Sequence, residues 1–207
     1  MIPEIPELDD IYLEKLIEKL KTTSQPKYVE INPDFNAGVN ECFPNVDRKI
    51  ETDGGKKIIG WSIWKTEVLI EAEFHAIWQT VEGEYLDITP KSIPMEKILF
   101  IEDNNKKYNG CQVDNIRLNI SGNSLTDDLI ILSESIFSIE NKGKRAAEHQ
   151  LHLEDDEARF YGVLQNFKIN LILMIKEGLT KNQTCFCGKM KYKKCHGKII
   201  KELKNSL

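Results

Sequence analysis

The chain has 207 residues, which is long enough for one sizeable domain and a small appendage. Its charged fraction of 29% and hydrophobic fraction of 41% are typical of soluble globular proteins, and no apolar run is long enough to span a membrane, so membrane insertion is not expected. The acidic N-terminal segment lacks the basic and apolar regions of a signal peptide, and five cysteines suit a reducing compartment. We therefore expect a cytoplasmic protein.

The sequence predicts a β-rich middle with helices before and after it. Apolar residues at helical spacing predict helices over about residues 10–20, 42–53, 126–139 and 155–177. Runs of β-branched and aromatic residues predict strands at residues 28–31, 58–64, 67–71, 74–79, 85–88, 98–101 and 112–120. The pattern favours an α+β fold, in which an antiparallel sheet packs against an N-terminal helix. We expect an α+β domain over 1–140, a helical segment over 141–180 and a small tail over 181–207.

Three residues of the α+β domain have the chemistry of a nucleophilic site. Cys42 lies at the predicted start of a helix, where the helix dipole favours a thiolate. His75 and Asp87 lie on two successive predicted strands. A carboxylate that orients a histidine, which in turn activates a thiol, is the general arrangement of a nucleophile, a base and an orienting group. Each residue is also compatible with an ordinary structural role, since a lone cysteine is most often a small buried apolar residue.

The turn between these two strands decides whether His75 and Asp87 can meet. Side chains alternate between the faces of a strand, so a two-residue turn would place the two side chains on opposite faces. A three-residue turn at 81–83 with Gly83 in a left-handed conformation pairs residues whose numbers sum to 164, and the two side chains then share a face. We predict the three-residue turn.

The order of Cys42, a helix, a strand with His75 and a next strand with Asp87 resembles the papain-like fold in its transglutaminase-like branch. The segments 60–64, 74–78 and 87–90 also look like parts of bacterial proteins of unassigned function that carry zinc knuckles. The first resemblance implies a cysteine hydrolase or acyl-transferase that acts on amide bonds. Papain-type enzymes place a glutamine shortly before the cysteine, whereas Asn36 and Asn40 are the nearest amides here.

The C-terminal segment holds four metal-ligand residues within twelve positions. They are Cys185, Cys187, Cys195 and His196. Zinc prefers four tetrahedral ligands, and three thiolates with one imidazole form a closed structural set that leaves no position for water. Since so short a segment cannot bury a core of its own, metal binding would supply its folding energy. We predict a structural zinc site.

Residues 185–197 resemble the SEC-C motif, the zinc knuckle at the C-terminus of SecA-type preprotein translocase ATPases. Phe186 replaces the usual proline, and the loop between Cys187 and Cys195 is one residue shorter. The resemblance implies that the knuckle docks a protein partner. The tail 181–207 carries eight lysines against one glutamate, which suits an acidic partner or nucleic acid but also suits simple solvation of a small module. Nucleic acid is the less favoured partner, because few aromatic residues accompany the lysines.

Two hypotheses follow from these patterns. In the first, the α+β domain is a hydrolase or acyl-transferase with Cys42 as nucleophile, His75 as base and Asp87 as orienting group. In the second, the same domain is a non-catalytic scaffold, and the knuckle docks a protein or nucleic-acid partner. A further pair, His149 and His152, has helical metal-ligand spacing, but its strongly charged surroundings favour a solvated polar face.

Overall fold

The computed structural model of the chain describes residues 2–148 and 150–205. Within these ranges it has five α-helices, six β-strands and two short 3₁₀ turns, at Gly143–Ala147 and Tyr192–Lys194. The helices are α1 (Ile11–Leu20), α2 (Cys42–Asp53), α3 (Ser124–Glu140), α4 (Asp155–Lys176) and α5 (His196–Lys204). The strands are β1 (Lys27–Ile31), β2 (Lys56–Lys65), β3 (Leu69–Gln79), β4 (Tyr85–Asp87), β5 (Lys97–Glu102) and β6 (Ile116–Asn119). The α+β class is confirmed, and α5 is an element that the sequence patterns did not predict.

Five strands close into a barrel. The hydrogen-bonded order is β2-β5-β1-β4-β3, and β3 pairs again with β2, so the ring has no free edge at that point. The sixth strand, β6, pairs with the first residues of β3 outside the ring. All pairings are antiparallel except that between β1 and β4, which is parallel. The predicted antiparallel sheet is therefore confirmed for every pairing except β1–β4, and it closes into a barrel because the long β2–β3 hairpin carries its two strands around to opposite ends of the strand order.

Strand β3 is continuous where the sequence predicted two strands. The gap expected near residues 72–73 does not exist, and the turn lies earlier, where the Thr66 hydroxyl accepts hydrogen bonds from the backbone N–H groups of Val68 and Leu69. Alternation was hard to detect because both faces of β3 are buried over most of its length. One face packs against α1 and α2, and the other faces the barrel interior with Ile77. Both faces of β3 are thus available to build the core and a site.

The hairpin from β3 to β4 has the predicted three-residue turn. Trp78 pairs with Leu86, and Gln79 with Tyr85, so paired numbers sum to 164. Gly83 has φ of +95°, a conformation that costs a residue with a Cβ about 1 kcal/mol. The register is therefore confirmed, and it places His75 and Asp87 on the same face.

The C-terminal segment is part of a second core. Apolar side chains of α3 and α4 form this core together with buried residues of the segment, namely Cys185, Tyr192 and Ile200. Lys181 Nζ lies 2.6 Å from the buried Asp128 carboxylate on α3, and Asn123 donates a hydrogen bond to the Leu179 carbonyl. The apolar side of the knuckle is thus covered by the chain's own helices. No helix among the described residues is long and apolar enough to cross a membrane.

Candidate functional site

His75 and Asp87 form a buried pair on adjoining strands. His75 Nε2 lies 3.0 Å from Asp87 Oδ2, and the side chains are 2% and 0% exposed. The second carboxylate oxygen of Asp87 accepts a hydrogen bond from the Thr89 backbone N–H at 3.0 Å. Lys91 Nζ lies 2.6 Å from Asp87 Oδ2, the oxygen that also contacts His75. The carboxylate is held from three sides, so it fixes the orientation of the imidazole ring.

The other ring nitrogen of His75 has no hydrogen-bond partner among the described residues. Nε2 faces Asp87, which leaves Nδ1 buried and unpaired. A buried polar atom without a partner costs roughly 1–3 kcal/mol, and such atoms are concentrated where a ligand or a reacting group completes the arrangement. Nδ1 is therefore the nitrogen of His75 that is available for proton transfer.

Cys42 is the first residue of α2, as predicted, and it is 8% exposed. It lines a cavity of about 300 Å³ together with His75, Thr89 and Lys91. Asn40, two residues before Cys42, has a left-handed backbone with φ of 62° and lines the same cavity. Cys42 and His75 therefore line one cavity, and the Asp87 carboxylate holds the histidine ring.

A second cavity, of about 470 Å³, adjoins the first. Three residues line both cavities, and these are Asn40, Cys42 and Glu73. The far side of the larger cavity consists of residues 110–115 and 146–148. A thiol at the junction of two cavities is well placed to meet the middle of an elongated ligand, with one half of the ligand on each side.

Asn45 connects the two segments that carry the site, and the sequence patterns did not single it out. Its side-chain oxygen accepts from the Gly38 N–H at 2.9 Å, and its Nδ2 donates to the Gly38 carbonyl at 2.8 Å. Nδ2 also lies 3.3 Å from the Thr89 hydroxyl, just beyond Asp87. The sequence offered one signal for this role, which was an asparagine in the first turn of the predicted helix. Of the two amides considered for the oxyanion, Asn40 lines the cavities and Asn36 does not.

His75 and Asp87 each stabilise the charged form of the other. Burial alone would lower the pKa of His75, but the negative charges of Asp87 and of Cys42 outweigh burial and raise that pKa to about 10. Burial would raise the pKa of Asp87, but His75 and then Lys91 overcome it and lower that pKa to about 2. The imidazolium and the carboxylate are therefore both charged throughout the neutral range.

We expect the nuclear magnetic resonance titration of His75 to show a protonated ring at pH 8, and Cys42→Ala to lower its pKa by removing one of the nearby negative charges. Cys111→Ala is the matched control and should leave the titration unchanged. Because the folded pKa lies above the ordinary value of 6.5, this group stabilises the fold fully below pH 6.5, and the stabilisation is lost as the pH rises towards 10. Equal titration curves in the two variants would contradict the arrangement.

The four C-terminal ligand residues form a compact cluster that could hold a metal ion. Their donor atoms all lie within 4.8 Å of one another. Cys185 Sγ is 3.1 Å from His196 Nδ1, and Cys187 Sγ is 3.4 Å from Cys195 Sγ. Zinc bonds of about 2.0 to 2.3 Å in tetrahedral geometry place donors roughly 3.5 to 3.8 Å apart, so the donor set and its size suit zinc.

The backbone around the cluster explains how so short a segment brings the donors together. The Cys185 N–H donates to the Met190 carbonyl, and the Gly188 N–H donates to the Cys185 carbonyl, which closes a tight turn with Gly188 at φ of +75°. Cys195 and His196 come from the start of α5. The His196 ring packs edge-on against Phe167 of α4 at 5.1 Å between centroids. His149 lies outside the described residues and His152 is exposed, so the expectation that this pair belongs to a solvated polar face stays a prediction.

Comparison with protein-family models finds no match to the chain. Comparisons with curated proteins and with solved structures also find no significant match. The resemblances to the SEC-C motif and to the papain-like fold are therefore carried by their residues alone.

Proposed function

We propose that the chain is a cysteine hydrolase or acyl-transferase of papain or transglutaminase type, which acts on amide bonds and carries a structural zinc knuckle of SEC-C type. One observation carries the proposal. His75 is fixed through Nε2 by the buried carboxylate of Asp87, its Nδ1 has no partner among the described residues, and it lines a cavity together with Cys42 at the start of α2. A nucleophilic thiol needs its base within hydrogen-bond reach. Cys42 and His75 line one cavity, the described residues show no hydrogen bond between them, and in this proposal the thiol and Nδ1 meet when substrate binds.

The roles of the residues follow from these positions. Cys42 Sγ, with its proton passed to His75 Nδ1, attacks the carbonyl carbon of an amide and forms the tetrahedral intermediate. His75 then returns the proton to the leaving amine, and a thioester remains on Cys42. Water or a second amine, activated by His75, attacks the thioester and regenerates the thiol. Asp87 holds the imidazole in place and stabilises its charged form.

The start of α2 offers donors for the negative charge on the carbonyl oxygen. Glu41, the residue that precedes the helix, makes no side-chain cap, so the backbone N–H groups of Cys42 and Phe43 are left without that partner. Asn40 adds an amide at the edge of both cavities. These groups take the place of the glutamine that papain-type enzymes use.

The proposal is tested by acetyl transfer from p-nitrophenyl acetate. We expect a burst of p-nitrophenolate and the mass of one acetyl group on the peptide that contains Cys42, at a rate about 100-fold above that of His75→Ala. Cys111→Ala is the control and should behave as the wild type, because Cys111 lines the larger cavity and not the smaller one that His75 lines. Acetylation of Cys42 and Cys111 at equal rates would contradict the proposal and would favour the non-catalytic scaffold.

We also propose that the knuckle presents a basic surface to a protein partner. Seven lysines are exposed around it, namely Lys189, Lys191, Lys193, Lys194, Lys198, Lys201 and Lys204. Its apolar side packs on α3 and α4, so a partner would meet the charged side. An acidic protein surface is the chemistry that this face complements, and nucleic acid is the less favoured partner.

A further inference from the structure

Glu73 is a half-buried carboxylate between the two cavities. It lies two residues before His75 on β3, so its side chain is on the same face of the strand. No hydrogen bond or ion pair to its carboxylate is found within residues 2–148 and 150–205. The contrast with Glu71, two residues earlier on the same face, is informative. Glu71 accepts hydrogen bonds from Asn115 at 2.7 Å and from Arg117 at 2.8 Å.

The larger cavity has an excess of negative charge close to Cys42. Glu41, Glu73, Asp114 and Glu148 line it, and no lysine among residues 2–148 and 150–205 does. Its one lining arginine, Arg117, is committed to Glu71 and to Asp114, at 2.8 and 2.9 Å. The larger cavity therefore has lining carboxylates that no lining cation among the described residues neutralises.

The smaller cavity differs in character. Its lining is largely apolar, with Pro3, Trp64, Ile93, Met95 and Ile98 among the lining residues. The one lysine there, Lys91, lies 2.6 Å from Asp87 and is held by it. The two cavities that meet at Cys42 thus differ in polarity: carboxylates line the larger one, and mostly apolar side chains line the smaller one.

From this asymmetry we infer that the larger cavity binds a cationic group of the substrate, an ammonium or a guanidinium, with Glu73 as its principal partner. This inference rests on the proposed function and names its substrate class, an amide that has a basic side chain on one side of the scissile bond and an apolar group on the other. An unpaired carboxylate in a half-buried position is costly, and a ligand cation compensates that cost when it binds. Glu73 acts here as a specificity residue, since it contacts the substrate but not the reacting atoms.

The inference is tested with charged thiol reagents. A methanethiosulfonate reagent is attacked at sulfur by the Cys42 thiolate, which forms a mixed disulfide and releases methanesulfinate. We expect the ethylammonium reagent to modify Cys42 about tenfold faster than the ethylsulfonate reagent at low salt, with the neutral methyl reagent between them, as followed by peptide mass. Glu73→Gln should reduce this preference about fivefold when each charged reagent's rate is divided by that of the neutral reagent, so that any change in the intrinsic reactivity of Cys42 cancels.

The matched control is Glu67→Gln, which removes an exposed carboxylate from the turn before β3 and should leave the preference unchanged. A charge preference that is absent in the wild type, or equal in the two variants, would overturn the inference. Failure of the proposed function has a different signature, because it would show as equal modification of Cys42 and Cys111 by the neutral reagent whatever the charge preference.

A protection experiment separates the two kinds of cation. Lysinamide and argininamide should each slow the modification of Cys42 by the neutral reagent, and the stronger of the two identifies ammonium or guanidinium as the preferred group. Norleucinamide has a side chain of similar size without the charge and should protect much less. Equal protection by norleucinamide would overturn the assignment of a cation site.

Discussion

At pH 6, iodoacetamide should alkylate Cys42 at least about tenfold faster than Cys111, and His75→Ala should abolish that advantage. Alkylation requires the thiolate. His75 carries its positive charge at this pH because its pKa is raised to about 10. In the proposed mechanism that charge results from transfer of the Cys42 proton to Nδ1, which leaves the reactive thiolate. Cys111 has no such partner in the described structure. The measurement is the alkylation rate of each peptide by mass spectrometry between pH 5 and pH 10.

The pH dependence has a definite sign. The advantage of Cys42 should be largest at low pH, where an ordinary thiol is protonated, and should fade as the pH approaches 10, where His75 loses its proton and ordinary thiols ionise. Asp87→Asn should reduce the advantage in part, because it removes the negative charge that keeps the imidazole protonated. His152→Ala alters an exposed histidine and serves as the control. An ordinary thiol profile at Cys42, unaffected by His75→Ala, would exclude an activated nucleophile.

Cys195→Ser should lose most of the bound zinc and lower the stability of the protein by about 3 to 5 kcal/mol. The fall in stability comes from the packing of the knuckle. Buried residues of the segment, Tyr192 and Ile200, cover part of the α3–α4 core, and they detach if the metal no longer holds the turn and α5 together. Metal content by mass spectrometry and unfolding by urea provide the two measurements, with one zinc per chain expected in the wild type.

Cys111→Ser is the control for this prediction, since it removes a thiol that lies outside the cluster. It should keep both the zinc and the stability. The alkylation rate of Cys42 should be similar in folded Cys195→Ser and in the wild type, because four protein ligands close the metal site and leave no position for chemistry. Equal zinc in Cys195→Ser and the wild type would contradict the ligand assignment.

Features that depend on neighbouring residues could be predicted from the sequence. The start of α1 at its Asp10 cap and the start of α2 at Cys42 both agree with the patterns. The register that joins His75 to Asp87 follows from one glycine, because Gly83 decides the turn and the turn decides which side chains share a face. The metal cluster could be predicted because its four ligands lie within twelve positions and need only one turn to converge.

Features that depend on distant pairings were decided by the tertiary structure. Closure of the barrel requires β1 to pair with β4 in parallel and β5 to pair with both β1 and β2, and no local pattern encodes such contacts between distant parts of the chain. The same holds for the contact of Asn45 with the Thr89 hydroxyl.

The surroundings of the two candidate sites also depend on contacts between distant parts of the chain. The position of Cys42 between two cavities and the unpaired state of Glu73 arise where strands, α2 and the loop at 110–115 meet. The packing of the knuckle on α3 and α4 likewise brings residues near 130, 170 and 190 together. The candidate residues of both sites could be identified from the sequence, because spacing and turn geometry are local. Their surroundings could not, because burial and charge compensation depend on contacts between distant segments.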